Sequence, residues 1–314
     1  MILATVLVVL ALVLPWGAVP AARRLVGLLP PRSASLALTA AAVLLAGEVV
    51  AALIGLLHVP FLALLEQIPL HQVVDEWPLV LPVSGAASVL LGVQTVLLAR
   101  RWFERRRLLD RAWASVDEAV SDRDLLVLQG SDAQAFALPS FRGRSGRVVV
   151  TTGMLVALGP GERDVLFAHE RAHLAGRHHL LSMTAYLAAA VHPALRSIRA
   201  DLDFHLERWA DESAAAAVDS RRRAAAAIAR AALSAGSAGG RPSGLGPLPS
   251  VSSGPVPQRV EALLGAPPSG PQGRGPKAAA VGLGAAVAGA AVLGLGLAYG
   301  LHEYVEFAAE RLRG

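Results

Sequence analysis

The stretch Val165-Leu166-Phe167-Ala168-His169-Glu170-Arg171-Ala172-His173 decides how the rest of the chain is interpreted, because it places an H-E-x-x-H motif inside an apolar, helical pattern. In an α-helix each residue turns by about 100° and rises by about 1.5 Å, so His169 and His173 project from one face, one turn apart. Two histidines in this arrangement can bind one metal ion, and Glu170 lies beside them. The stretch therefore predicts a helix that carries part of a zinc site.

A catalytic zinc site needs a third protein ligand and an open position for water, whose pKa then falls to about 7. The sequence Glu207-Arg208-Trp209-Ala210-Asp211, again of helical pattern, offers Glu207 as that ligand. Asp211 follows one turn later, where it can orient a ligand. Glu170 is the candidate general base that takes the proton of the attacking water. The alternative is a structural pair of histidines.

The composition is typical of a membrane protein, because 54% of the 314 residues are hydrophobic and only 17% are charged, with a mean hydropathy of +0.50. Cysteine is absent, which excludes disulfides and thiolate-bound zinc and leaves histidine and carboxylate ligands. The net charge of +5 comes mostly from arginines beside apolar runs. Positive residues accumulate on the cytoplasmic side of spans, so topology explains these arginines better than nucleic-acid binding, and no direct nucleic-acid partner is expected.

Four apolar runs predict four transmembrane helices. The first, at residues 1–22, precedes its positive charges, which favours an uncleaved anchor with an external N-terminus over a signal peptide. The basic cluster at residues 100–107 places the cytoplasm after the third span, so the acidic segment 58–78 is predicted to be an outer loop. From residue 102 to residue 120 the apolar positions recur at helical spacing, which predicts a basic amphipathic helix on the inner leaflet or over the domain. The last run, 277–301, returns the C-terminus outside.

Between the third and fourth spans the pattern changes to that of a folded domain. Residues 125–129, 135–139 and 147–152 are strand-like and predict a small sheet. An edge of such a sheet can align an extended peptide, and the equal alternative is that the strands only support the zinc helix. The uncharged run 180–195 is short for a span, so a core or interfacial helix is favoured over a transmembrane one. Four other histidines are not at ligand spacing and are interpreted as surface or hydrogen-bonding residues: His178, His179, His192 and His205.

In these features the chain resembles the BlaR/MecR-type integral-membrane zinc metallopeptidases, relatives of the HtpX and CAAX-prenyl peptidases. The residues that carry the likeness, within 100–265, are Ala135-Phe136-Ala137-Leu138-Pro139, Gly153-Met154-Leu155, His169-Glu170-Arg171-Ala172-His173, His192-Pro193, Glu207 and Asp211. The resemblance implies that His169, His173 and Glu207 bind one catalytic Zn²⁺ and that Glu170 is the general base. It also implies that Asp211 contacts a metal ligand and orients it. It also implies three spans, a cytoplasmic gluzincin domain and a further span.

The sequence thus predicts a mainly α integral membrane protein with about four transmembrane helices and a cytoplasmic α+β gluzincin metallopeptidase domain that contains a small sheet. The predicted parts are a three-helix membrane region (1–99), the metallopeptidase domain opening with the basic amphipathic helix (100–235), a Gly/Pro/Ser-rich linker with a short helix at 256–264 (236–276), the fourth transmembrane helix (277–301) and a short outer tail (302–314).

The predicted activity is that of a zinc-dependent endopeptidase of the plasma membrane. The predicted partners are the lipid bilayer and a protein or peptide substrate, either a transcriptional repressor, as the resemblance implies, or misfolded membrane protein, as in the HtpX relatives. Members that sense β-lactams carry an external penicillin-binding domain after the last span, whereas only 13 residues follow it here, so sensing by acylation is not expected. The rival hypothesis is a non-catalytic signalling scaffold with a closed zinc site, for which His178 or His205 would be the fourth ligand.

Overall fold

The computed structural model describes residues 2–117, 119–237 and 255–268, together with isolated positions between 282 and 303. Its helices are α1 (Ile2–Val26), α2 (Pro31–Leu65), α3 (Leu70–Glu76), α4 (Val80–Ala114), α5 (Thr152–Ala157), α6 (Pro160–Ala175), α7 (His178–Val191), α8 (Arg196–Ala217), α9 (Arg221–Ser237) and α10 (Val256–Leu264). Its strands are β1 (Val120–Asp122), β2 (Leu125–Leu128), β3 (Ala135–Leu138) and β4 (Arg147–Thr151). The described chain is therefore mainly helical with one small sheet.

Two of the described helices, α2 and α4, are long and apolar enough to cross a membrane. Each has 35 residues, which at about 1.5 Å per residue exceeds the roughly 30 Å of a bilayer's hydrocarbon core. The first half of α4 exposes large apolar side chains, as a lipid-facing helix does: Leu81, Val89, Leu90, Val93, Val96 and Leu97. The prediction of four spans is supported for these two helices.

The other two predicted spans are not among the candidate spans found in the described residues. The first coincides with α1, a helix of 25 residues with Pro15 and Pro20 inside it, which is not among the candidate spans. The fourth, 277–301, lies outside the described residues except for isolated positions, and these are helical. The predicted linker 236–276 is described only at 236–237 and at 255–268, where α10 occupies the positions predicted for a short helix.

Two predicted boundaries are wrong. Residues 58–65, assigned to an outer loop, continue α2, and α3 occupies much of the remaining loop. The basic segment after Arg100 is not a separate amphipathic helix, because α4 runs without a break to Ala114, and Val120 belongs to β1. No glycine or proline accompanies the change from apolar to basic residues, so nothing ends the helix there. One rod therefore joins the candidate span to the domain.

The sheet has four strands in the order β1-β2-β4-β3, with β2 and β4 parallel and both outer pairs antiparallel. Three of these strands were predicted, and β1 is additional. One face of the sheet packs on the end of α4, where the Trp113 indole donates to the carbonyl of Pro139 at 3.1 Å. The other face, through Ala135 and Val150, packs on α6. The edge strand β3 contacts α6 directly.

Helices α7 and α8 connect the candidate spans to the domain. The 14 residues of α7 cover about 21 Å, too short to cross a bilayer, and α7 packs against α2, α4 and α8. This arrangement agrees with the prediction of a core or interfacial helix. The first half of α8 shares an apolar cluster with α2 that includes Leu38, Ile198 and Leu202, while α8 as a whole also packs on α6. A single helix, α8, therefore contacts both a candidate span and the helix of the H-E-x-x-H motif.

Candidate metal centre

Local sequence explains why α6 starts and ends where it does. Pro160 opens the helix at a position where a missing N–H costs nothing, and the Glu162 carboxylate accepts the backbone N–H of Gly159 at 2.9 Å. The helix ends at Ala175, and the left-handed residue that turns the chain is Arg177, at φ 50°. Gly176 keeps an ordinary φ of −77°, so its role there is not conformational freedom.

The structure brings His169, His173 and Glu207 together as a buried group that can hold a metal ion. The two Nε2 atoms are 3.2 Å apart, and they lie 3.5 Å and 3.6 Å from the Glu207 carboxylate oxygens Oε2 and Oε1. In a tetrahedral zinc site with bonds of about 2.05 Å, two ligand atoms are about 3.3 Å apart. The donor atoms and their spacing therefore fit such an ion.

Each histidine of this group is held through its second nitrogen. Nδ1 of His169 lies 3.0 Å from Oδ1 of Asp211, and Nδ1 of His173 lies 2.8 Å from Nδ1 of His178. An Nδ1–H donated to such a partner leaves Nε2 unprotonated and directed at the ion, which is how proteins orient metal-binding imidazoles. Asp211 was predicted in this role, whereas His178 was not.

His178 is fully buried, so its interpretation as a surface residue is wrong, while the interpretation as a hydrogen-bonding residue agrees with its contact to His173. Its ring also lies 4.5 Å from the ring of Trp209. A Cβ at position 176 would lie 2.4 Å from Nε2 of His178, so Gly176 leaves the space that the ring occupies. A glycine at the end of α6 followed two residues later by a histidine is the local signal that sequence reasoning missed.

Arg259, on α10, is the second residue that sequence reasoning missed. It is 0% exposed and donates Nε and Nη2 to the two oxygens of Asp211 at 2.8 Å and 2.7 Å. Its Nη1 lies 2.9 Å from Oε2 of Glu207. Burial alone would raise the pKa of Asp211, but the hydrogen bonds from Arg259 and His169 hold it below its usual value. One guanidinium therefore contacts both acidic side chains that α8 contributes to the site.

The buried charges set the protonation of the two candidate histidine ligands. Burial lowers the pKa of His169, but the neighbouring Asp211 and Glu207 outweigh burial and raise this pKa to about 9. Burial also drives the pKa of His173 well below its ordinary value, and the charges of His169 and Arg259 act in the same direction. In the metal-free centre His169 therefore carries the proton that an incoming ion must displace.

One family model matches part of the chain. Residues 104–198 match the model of Peptidase family M48. The match supports membership of the M48 metallopeptidase family. It contains the H-E-x-x-H stretch, while Glu207, Asp211 and Arg259 lie beyond its end. No curated protein and no solved structure matches the chain.

M48 peptidases are metal-dependent hydrolases, and the geometry of this centre suits that chemistry. Glu170 is 0% exposed, follows a candidate ligand in the chain and acts electrostatically on His169 and Arg259. Among the described residues, the group that can hold an ion consists of two histidines and one carboxylate. His178 directs Nδ1 to His173 instead of joining this group, and His205, two residues before Glu207, lies on the other side of α8. Neither residue supplies the fourth ligand that a closed site would need.

Proposed function

We propose that the chain is a zinc-dependent endopeptidase of the plasma membrane whose catalytic domain, a gluzincin, faces the cytoplasm. The observation that carries the proposal is the convergence of His169, His173 and Glu207 at the spacing of a tetrahedral ion, with one coordination position left for water and Glu170 buried beside it. The match to the M48 family supports the same class of activity.

The side chains of the centre divide the work of peptide hydrolysis between them. When bound, zinc supplies a lowered pKa for water and polarisation of the scissile carbonyl. Glu170 takes the proton from the attacking water and then passes it to the leaving amine. Asp211 and His178 fix the ring orientation of His169 and His173. The edge strand β3 lies against α6 with all four of its residues buried, so it supports the helix of the H-E-x-x-H motif.

The proposed location rests on the two candidate spans and on the position of the arginines. α4 carries an exposed apolar surface up to Leu97 and then a run of arginines that begins at Arg100. Arg101 donates to the backbone oxygen of Tyr186 on α7 at 2.7 Å, and Arg32 lies over the ring of Trp209 on α8, 5.5 Å from its centroid. The basic ends of α2 and α4 therefore contact the domain helices, which supports the proposed position of the domain on the positive, cytoplasmic side.

The proposed substrate is a protein at the membrane surface. The likeness to the BlaR/MecR type favours a cytoplasmic repressor and regulatory signalling, and the likeness to HtpX favours misfolded membrane proteins and quality control. A single repressor-derived fragment is the expected product in the first case. Many fragments, mostly from membrane proteins, are the expected products in the second.

The test replaces Glu170 by Gln and compares new protein N-termini in cells that express either form. Removal of a general base costs typically about 10² to 10⁴-fold in rate, so fragments that depend on Glu170 should disappear while bound zinc is retained. Asp164→Asn makes the same change from carboxylate to amide at an exposed position of the same helix and should leave the fragments intact. Equal fragment patterns for wild type and Glu170→Gln would contradict the proposal and favour the non-catalytic scaffold.

A further inference from the structure

The helix α10 is separated from the rest of the domain by a Gly/Pro/Ser-rich stretch of sequence, yet it is firmly held against α9 and α8. Leu263 is 3% exposed in an apolar cluster with Ile228 of α9. The Arg221 side chain donates to the carbonyls of Ala262 and Gly265 at 2.8 Å and 3.2 Å, where the last carbonyls of a helix lack partners within it. These contacts fix both the depth and the rotation of α10.

That rotation directs Arg259 into the metal centre. Glu207 and Asp211 are 3% and 1% exposed and lie one turn apart on α8. Arg259 binds Asp211 through two parallel hydrogen bonds, and its Nη1 lies 2.9 Å from Oε2 of Glu207. A carboxylate has about four lone-pair positions, so Oε1, 3.6 Å from Nε2 of His173, keeps its capacity for an ion.

We propose that Arg259 is a positioning residue, and that docking of α10 completes the metal centre by fixing Glu207 as a ligand and Asp211 as the support of His169. The inference rests on the proposed function, since it concerns the same centre. Without the guanidinium, the two buried carboxylates keep only His169 as a cationic neighbour among the contacts described above, and both lose the orientation that the Arg259 contacts give them. The Arg259 fork suits this task, because a planar guanidinium binds a carboxylate with two parallel hydrogen bonds and a lysine does not.

The first test measures Zn²⁺ affinity of the purified full chain in detergent, by competition with a chromophoric chelator. Loss of a residue that orients metal ligands typically weakens binding by about 10 to 100-fold, and this is the expected effect of Arg259→Gln. Arg259→Lys keeps the charge and should recover part of the affinity. Arg222→Gln removes an exposed arginine beside α10 and should bind as wild type. Unchanged or tighter zinc binding by Arg259→Gln would overturn the proposal.

The second test uses the reciprocity of coupled equilibria and leaves Arg259 in place. If docking of α10 favours zinc binding, zinc must favour docking by the same factor. The chain has no cysteine, so Leu263→Cys introduces a single buried thiol whose reaction with a maleimide requires α10 to move away. Zn²⁺ should slow this reaction several-fold, but not that of Leu264→Cys on the same helix, where the side chain is 61% exposed.

The outcomes separate this inference from the proposed function. Zinc that protects both thiols equally, or neither, would overturn the coupling even if the Arg259 variants fail to fold. A protein that cleaves nothing yet shows the expected zinc affinities would refute the peptidase and leave the positioning role intact. A Glu170-dependent peptidase whose Arg259→Gln variant binds zinc as tightly as wild type would refute the positioning role alone.

Discussion

Gly176→Ala tests whether His178 supports the metal centre. The added Cβ would lie 2.4 Å from Nε2 and 2.6 Å from Cδ2 of the His178 ring, and 3.1 Å from the carbonyl oxygen of Ala172. The ring cannot simply retreat, because His173 lies 2.8 Å from its Nδ1 and the Trp209 ring lies 4.5 Å from it. Relief therefore requires the ring to rotate, which breaks the hydrogen bond to His173.

The expected cost follows from these contacts. Overpacking of a buried site costs about 1 to 3 kcal/mol, and the lost hydrogen bond adds about 1 kcal/mol. The better helix propensity of alanine returns less than about 1 kcal/mol. We therefore expect Gly176→Ala to lose about 1 to 3 kcal/mol of stability and to weaken zinc binding at least about tenfold, since His173 is no longer oriented.

The assay combines thermal unfolding in detergent with the chelator competition for Zn²⁺. Gly161→Ala is the matched control, because Gly161 lies in the first turn of the same helix and a Cβ there would have nothing within 4 Å. This control should be neutral or slightly stabilising. If Gly176→Ala unfolds and binds zinc as the control does, His178 is not a support of His173 and the argument from the wedged ring fails.

Three further predictions follow from the fold and the site. Gly153→Ala should destabilise the domain by more than about 3 kcal/mol, because its Cβ would lie 2.2 Å from the backbone oxygen of Ser131, and near-normal unfolding would contradict this. Zinc binding at pH 7 should release protons, because the pKa of His169 is raised to about 9 in the metal-free centre, and affinity should therefore fall as the pH is lowered below about 9. Calorimetry in buffers of different ionisation enthalpy measures this release, and binding without any proton release would contradict the prediction. The chain has no cysteine, so His71→Cys and Arg142→Cys each introduce a single thiol. The thiol of His71→Cys should react with a membrane-impermeant reagent in intact cells, and that of Arg142→Cys only after permeabilisation. The reverse pattern would contradict the proposed topology.

Much of the centre could be predicted because its parts are local. Helical spacing alone puts His169 and His173 on one face and Asp211 one turn after Glu207. What a pattern within one helix does not show is which second helix meets it and which side chain arrives from a distant segment. Arg259 lies 48 residues from Asp211, beyond a low-complexity stretch, and no spacing rule connects the two.

The errors in the membrane region have a related cause. The change from apolar to basic residues near Arg100 predicts the end of a helix, whereas α4 continues to Ala114. A helix ends where its backbone hydrogen bonds are interrupted or capped, which requires a signal such as glycine or proline, and none stands near Arg100. Apolar periodicity also assigned Val120 to this helix, although it lies beyond the turn that follows Ala114. Apolar composition therefore predicts a candidate span, whereas glycine, proline or a capping residue predicts where the helix ends.

The packing of α8 against α2 gives the proposed enzyme a fixed reach. Glu207 lies on the helix whose first half shares an apolar cluster with a candidate span, and Arg32 at the start of that span stacks on Trp209. On the proposed topology the catalytic centre cannot rise from or sink toward the bilayer without separating these helices. Selection of the cleaved bond would then depend on its distance from the lipid surface as much as on the residues around it, in the manner of a ruler. Substrates would be distinguished by where they are tethered.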